Sequence, residues 1–208
     1  MSSSLRILAT SLAGFLLISC GPALPKIRNI PNKPANSLSG ILDIRSRSFH
    51  GKVEAMVAIL IPDRLRFEIM SGNRTEALII LNGERASCAF PPDHLIYISS
   101  AAMLTNDFLG TEIKSRDLAF LLSGQINGLV DWVKTAHELN RGDVRVVLSR
   151  VHAQTGLPLV IELINHSQYA RLSWRQVTFD SDPEEVAFEP PAGYDPCERP
   201  AFLEKIGR

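Results

Sequence analysis

Alternation of apolar and polar residues is what most restricts this chain. In "RLRFEIM", Leu65, Phe67 and Ile69 point one way while Arg66 and Glu68 point the other. That period of two belongs to a β-strand with one buried face. "KVEAMVAILI" repeats it with Val53, Ala55, Val57, Ile59 and Ile61, but Met56, Ala58 and Leu60 make the opposite face apolar as well. "TEALIIL" does the same, with Ile79 and Leu81 opposite Leu78 and Ile80. A strand apolar on both sides needs cover on both sides. "ERASCAF" and "HLIYIS" follow, broken by Pro91-Pro92. Pro62-Asp63, Ser71-Gly72-Asn73 and Asn82-Gly83 are turn signals between the runs. Residues 38 to 98 therefore read as an antiparallel meander.

The period then changes. "SSAAMLTNDFLG" allows a short helix that starts after Ser99 or Ser100 and ends by Gly110. "SRDLAFLLSG" reads as a second helix. Ser115 serves as its cap, Asp117 complements its positive end, Leu118, Leu121 and Leu122 share a face, and Gly124 stops it. "GLVDWVKTAHEL" fits no single period. "DVRVVLSRV", "LPLVIELI" and "YARLSWRQVTF" return to alternation. The expected class is α+β: one antiparallel sheet with a helical insertion in mid-chain on one face. A sheet curled around apolar helices leaves an apolar pocket between the layers.

The N-terminus has a different character. Residues 1–19 hold one basic residue, Arg6, and an apolar run from Ile7 to Ile18, the layout of a secretory signal. The run falls short of the ~20 apolar residues that a bilayer-spanning helix needs. Leu17-Ile18-Ser19-Cys20 resembles the lipobox of bacterial lipoproteins. That resemblance implies diacylglycerol transfer to the Cys20 sulfur, cleavage before it and acylation of the new amine. Gly21 stands where an Asp would favour retention in the inner membrane, which points to the periplasmic face of the outer membrane. Residues 20–37, with Pro22, Pro25, Pro31 and Pro34, read as an extended tether from Cys20, about 50 Å long at 3.1 Å per residue. Residues 38–208 form one domain with a C-terminal tail.

Charge is balanced, with 22 basic and 22 acidic residues, so no basic stripe offers itself to nucleic acid. Besides Cys20 the chain has Cys88 and Cys197. In an oxidising compartment they form a candidate disulfide that would staple the tail to a strand. His50, His94, His137, His152 and His166 lack metal-ligand spacing, and no CxxC, GxSxG, P-loop or GxGxxG is present. "DSDPEE" reads as a solvated acidic turn, and Trp132 and Trp174 as core residues. The expectation is a protein that is not an enzyme and uses no cofactor or metal.

Three stretches carry a family resemblance: "FLGTEIKSRDLAFLLSG", the Gly-Leu-Pro hairpin of "TGLPLVIELINHSQYARLSWRQVTF", and the closing "FEPPAGYD". Together with strand order, they resemble the LolA/LolB superfamily of lipoprotein localisation factors, nearest in organisation to its LolB outer-membrane receptors. The resemblance implies a strongly curved antiparallel sheet, like a half-open barrel, lidded by helices. It implies a cavity for lipoprotein or other lipid acyl chains, transport towards the outer membrane, and a periplasmic LolA-like carrier as partner. Candidate lining residues are Leu65, Phe67, Ile69, Ile79, Leu81, Met103, Leu104, Phe108, Leu118, Leu121 and Leu122. One departure stands out. Receptors of this type project an apolar loop between early strands, whereas Ser71-Gly72-Asn73-Arg74 is short and polar. The competing expectation is a structural envelope lipoprotein that docks protein partners without carrying lipid.

Overall fold

Ten-residue alternating runs pair where short turns let them, and the computed structural model shows the result for residues 24–47 and 51–207. The signal and Cys20 lie outside the described residues. The strands are β1 (Lys26–Arg28), β2 (Ser37–Ser46), β3 (Gly51–Leu60), β4 (Arg64–Ser71), β5 (Arg74–Asn82), β6 (Arg85–Phe90), β7 (Leu95–Ser100), β8 (Val133–Lys134), β9 (Glu138–Arg141), β10 (Val144–Val151), β11 (Pro158–Asn165), β12 (Gln168–Phe179) and β13 (Asp195–Pro196). The helices are α1 (Ala101–Leu109), α2 (Ser115–Ser123) and α3 (Arg199–Lys205). The sheet runs β13-β7-β6-β5-β4-β3-β2-β12-β11-β10-β9-β8 and does not close on itself. Its neighbours are antiparallel except β1 on β12 and β13 on β7.

The meander is as long as its alternation implies, β2 to β7 in sequence order. Two of its turns are tight because glycine leads them. Asn82 pairs with Arg85, so the two-residue turn is Gly83-Glu84, one position later than the Asn-Gly reading, with Gly83 at φ +61°. Ser71 pairs with Arg74, which leaves only Gly72 and Asn73 between β4 and β5.

The sheet curls, and geometry shows why. Helix α2 packs on both β4 and β11. Three strands separate those two, so in a flat sheet they would lie ~19 Å apart. A helix is ~10 Å across and reaches both only if the sheet bends around it. One source of bending is the register shift between Trp174 and Gln176 on β12. Opposite it sits Gly40, where a Cβ would fall 2.0 Å from the Gln176 carbonyl oxygen. Only glycine lets the two backbones approach this closely.

The two faces have separate cores. On the helix side, Leu38, Leu42, Val57, Ile59, Leu65, Phe67, Ile79, Leu81 and Cys88 pack with α1, α2 and α3. On the other side, Leu78, Ile80, Ala89 and Ile96 lie under Phe188, from a single 3₁₀ turn at Glu185–Phe188. Arg66 Nη1 holds that turn by donating to the Ala187 carbonyl at 2.9 Å. The second face of β5 thus obtains its cover from the C-terminal segment, not from the helices, while on β3 Ala58 and Leu60 are partly covered and Met56 is exposed.

Four expectations change. Part of the tether belongs to the sheet: Ile27 aligns with Val177 on β12, beyond the end of β11, and Ala35 is buried. Ser115 is the first residue of α2, not its cap. Lys114 occupies the cap position, and the Ser115 hydroxyl donates to the Gly83 carbonyl instead. The C-terminal tail is ordered as β13 and α3, with Phe202 fully buried. Cys88 and Cys197 are both free thiols. Cys88 aligns with Tyr97 on β7, and Pro196 aligns with Ile96 on the far side of the same strand. A whole strand therefore separates the two cysteines, ~10 Å at ordinary strand spacing, beyond the ~7 Å between Cα atoms that a disulfide tolerates.

Candidate functional site: an apolar cavity under two helices

Helix α1 begins where Ser100 accepts the Met103 N–H through its hydroxyl, at 3.2 Å, and ends at Gly110 in the left-handed region. Leu104 and Phe108, one turn apart, then face the sheet. Helix α2 turns its Leu118 towards the same space. Its first turn is fastened from outside. Trp132 Nε1 donates to Asp117 at 3.1 Å, Arg141 pairs with the same carboxylate, and the Arg141 guanidinium lies 4.5 Å over the Trp132 ring. Its far end lies close against the turn that leads into β11. At Gly124, φ +78°, a Cβ would sit 2.9 Å from the Leu157 Cα.

Between these helices and the sheet lies a cavity of about 40 Å³. The sheet contributes Ile44, Phe67, Ile69, Ile79, Leu81 and Leu172. The helices contribute Leu104, Thr105, Phe108, Leu109 and Leu118. Thr105 is the one polar side chain in this wall, and its hydroxyl is turned away into the chain. It lies 3.0 Å from the Ala102 and Ile113 carbonyls and accepts the Ile113 N–H at 3.0 Å. Nothing in the wall therefore asks for water, and apolar cavities of this kind stay dry.

The sequence candidates divide. Phe67, Ile69, Ile79, Leu81, Phe108 and Leu118 line the cavity. Leu65, Leu121 and Leu122 are buried in the surrounding core but do not line it. Met103 is 40% exposed, and its sulfur receives the Tyr97 hydroxyl at 3.3 Å. Ile44 and Leu172 were not among the candidates, yet they are cross-strand partners in the wall. No local signal reveals that pairing, because it joins β2 to β12 across most of the chain. Leu104, one turn before Phe108 in the α1 run, lines the cavity beside it.

Two further hollows flank the cavity. One of about 320 Å³ shares Ile69 and Phe108 with it and adds Val53, Ala77, Phe90 and Ile206, with Glu76, Asp93 and Lys205 exposed around it. The other, about 520 Å³, lies at the opposite strand ends between residues 31–35 and 123–128. Among the described residues no cluster of His, Cys, Asp and Glu has metal-binding geometry, and no helix is long and apolar enough to cross a membrane. Burial above all, and Cys197 nearby, push the Cys88 thiol far above the ordinary range. A buried neutral thiol behaves as a small apolar residue.

No family model matches the chain, and no curated protein matches it. Solved structures resemble the chain at low sequence identity. A DUF1329 family protein from Desulfovibrio piger aligns with a TM-score of 0.50 and 8% identity, over 74% of this chain and 90% of that one. A putative outer membrane lipoprotein-sorting protein domain from Vibrio parahaemolyticus gives 0.46 and 9%, over 74% and 89%. A LolA superfamily protein from Nitrosomonas europaea gives 0.42 and 9%, over 76% and 92%. At 8% identity the first likeness is one of fold.

Proposed function

We propose that this chain is a lipid-anchored, non-catalytic carrier or receptor that shelters acyl chains between its sheet and the helices α1 and α2, within lipid or lipoprotein transport to the outer membrane. The observation that carries this reading is the cavity wall, apolar throughout once the Thr105 hydroxyl is bonded inward. The lipobox at Leu17–Cys20 and the resemblance of three stretches to the LolA/LolB superfamily point the same way. The cavity is closed down. At about 40 Å³ it is well below the ~300 Å³ of an ordinary ligand site. Acyl binding therefore requires α1 and α2 to move off the sheet as a lid does. Such a movement is feasible because the surface it uncovers is apolar and the acyl chain itself covers it again.

Full-length protein titrated with fluorescent palmitate tests the reading. Saturable uptake is expected, and Phe67→Ala, which alters the wall, should weaken it. If no acyl probe is taken up saturably, the reading falls. The anchor has its own test: Cys20→Ala protein should lose fatty-acid label and leave the membrane fraction.

One observation favours a second reading, a docking lipoprotein. Val130 is 81% exposed and Val133 69%, on either side of buried Trp132 and beside the edge strand β8. A sheet edge with apolar side chains is a template for a partner strand. Val130→Asp with Val133→Asp should then abolish partner capture while leaving palmitate uptake intact.

A further inference from the structure

Helix α3 sits at the strand ends away from β1, where its Lys205 and the following Ile206 line the 320 Å³ hollow. Of its residues only Phe202 is fully buried. The Phe202 ring stacks on Tyr97 at 4.4 Å between centroids, meets Phe108 edge-on at 5.8 Å and lies 6.1 Å from Phe90. Phe108 is shared by the inner cavity and the 320 Å³ hollow, and Phe90 and Ile206 line the hollow beside it. Ile69 is the other wall common to both. So the phenyl ring lies in an aromatic seat against Phe108, one of the two residues that part the outer hollow from the inner cavity.

The attachment of α3 is local and separable. Arg199 binds Asp107 of α1 through two nitrogens, at 2.7 and 3.3 Å, and Asp107 is fully buried. Lys205 pairs with Asp93 at 2.9 Å, both about two-fifths exposed, which is worth little in water. Upstream, β13 holds β7 by two residues. A helix this short is not stable on its own, so it persists only while docked.

We infer that the Phe202 seat is the port by which an unbranched acyl chain enters the inner cavity, and that α3 is a displaceable plug filling it in the closed state. This rests on the acyl-binding reading above and adds the route. The chemistry matches: a flexible apolar chain replaces an apolar ring on aromatic walls. Lys205, freed from Asp93, stands at the outer rim as a cation for an anionic headgroup. Because entry requires the open state, the observed association scales with the fraction of molecules in which α3 is released.

The experiment follows fluorescent palmitate uptake by stopped flow in full-length wild type, Phe202→Ala and Arg199→Ala. In parallel, maleimide labelling of Cys88 is read by mass spectrometry of its peptide, since Cys88 is fully buried one strand away from Cys197 beside α3. Both variants should take up palmitate about tenfold faster, as for a latch weakened by 1.4 kcal/mol, and label Cys88 faster. Circular dichroism shows whether Phe202→Ala stays folded, and if it does not, Arg199→Ala decides. Wild-type uptake with an unchanged rate in the folded variants overturns the port but leaves acyl binding standing. Faster Cys88 labelling with unchanged uptake also overturns it, because α3 then opens without admitting lipid. No uptake in any protein overturns port and acyl binding together.

Discussion

Strand β5 carries two versions of the same side chain on its two faces. Ile79 looks into the apolar cavity below the helices, and Ile80 lies under Phe188 on the reverse. Both are nearly inaccessible to solvent, and both stand in the run "LIIL". Their surroundings differ in what fills the space. Around Ile80 a single 3₁₀ turn closes directly on the sheet. Around Ile79 a hollow remains, and α2, one of the helices that cover it, is pinned at its first turn through Asp117, Trp132 and Arg141. Burial is thus a poor guide to purpose. A residue covered directly, as Ile80 is by Phe188, serves stability, whereas a face left with spare volume has room for more than its own side chains.

The largest expected effect tests whether the reverse face is as structural as this implies. Phe188→Ala removes the large ring that covers it and should cost about 3–5 kcal/mol in urea unfolding, with palmitate uptake per folded molecule unchanged. If uptake falls as well, the two faces are not separate. The next prediction sets the paired isoleucines against each other. Ile80→Ala should fall in the upper part of the ~2–5 kcal/mol range for such truncations, and Ile79→Ala in the lower part, because a cavity already adjoins it. Equal costs would remove the distinction.

Arg141→Ala probes the fastening of the helix side. It leaves the nearly buried Asp117 carboxylate with only the Trp132 N–H of those two partners, at an expected cost of about 1–3 kcal/mol. It should loosen α2 and accelerate palmitate exchange. Slower exchange would argue against α2 as part of the lid.

The smallest effect is in pH. The Cys88 thiol is raised by burial first and by Cys197 second, and Cys197 is raised chiefly by its own burial. A folded-state value above the unfolded one means that the unfolded chain loses the proton first. The associated stability is whole below the ordinary thiol range of about 8.5 and is lost as pH rises beyond it. Melting temperature should therefore decline above a pH of about 8.5 in wild type and less steeply in Cys88→Ala. An identical decline would place Cys88 outside the core.

Much of the architecture was legible along the chain. The meander from β2 to β7 follows from alternation and its glycine turns, and α1 and α2 from apolar spacing closed by Gly110 and Gly124. These are local signals, and local propensity agrees with the final fold. Much of the cavity wall was legible too, because Phe67, Ile69, Ile79 and Leu81 share one face of the sheet. The rest was not. Ile44 and Leu172 meet only through the β2–β12 pairing, and Met103, from the same apolar run as Phe108, turns out to solvent.

What the sequence determined by itself is the class of fold: strands with both faces apolar, interrupted by two amphipathic helices. What the tertiary structure decided is which cover goes on which face, and where the chain ends pack. Nothing in "KIR" announces a strand on the end of β12, and nothing in "RPAFLEK" announces a ring seated among Phe90, Tyr97 and Phe108. Two cysteines suggested a bridge, whereas the fold leaves both thiols free with the β7 strand between their segments. The reason is common to all three. Short segments carry too few residues for a period, so their conformation is set by the partner they dock on. That partner is chosen by long-range register, which no local pattern encodes.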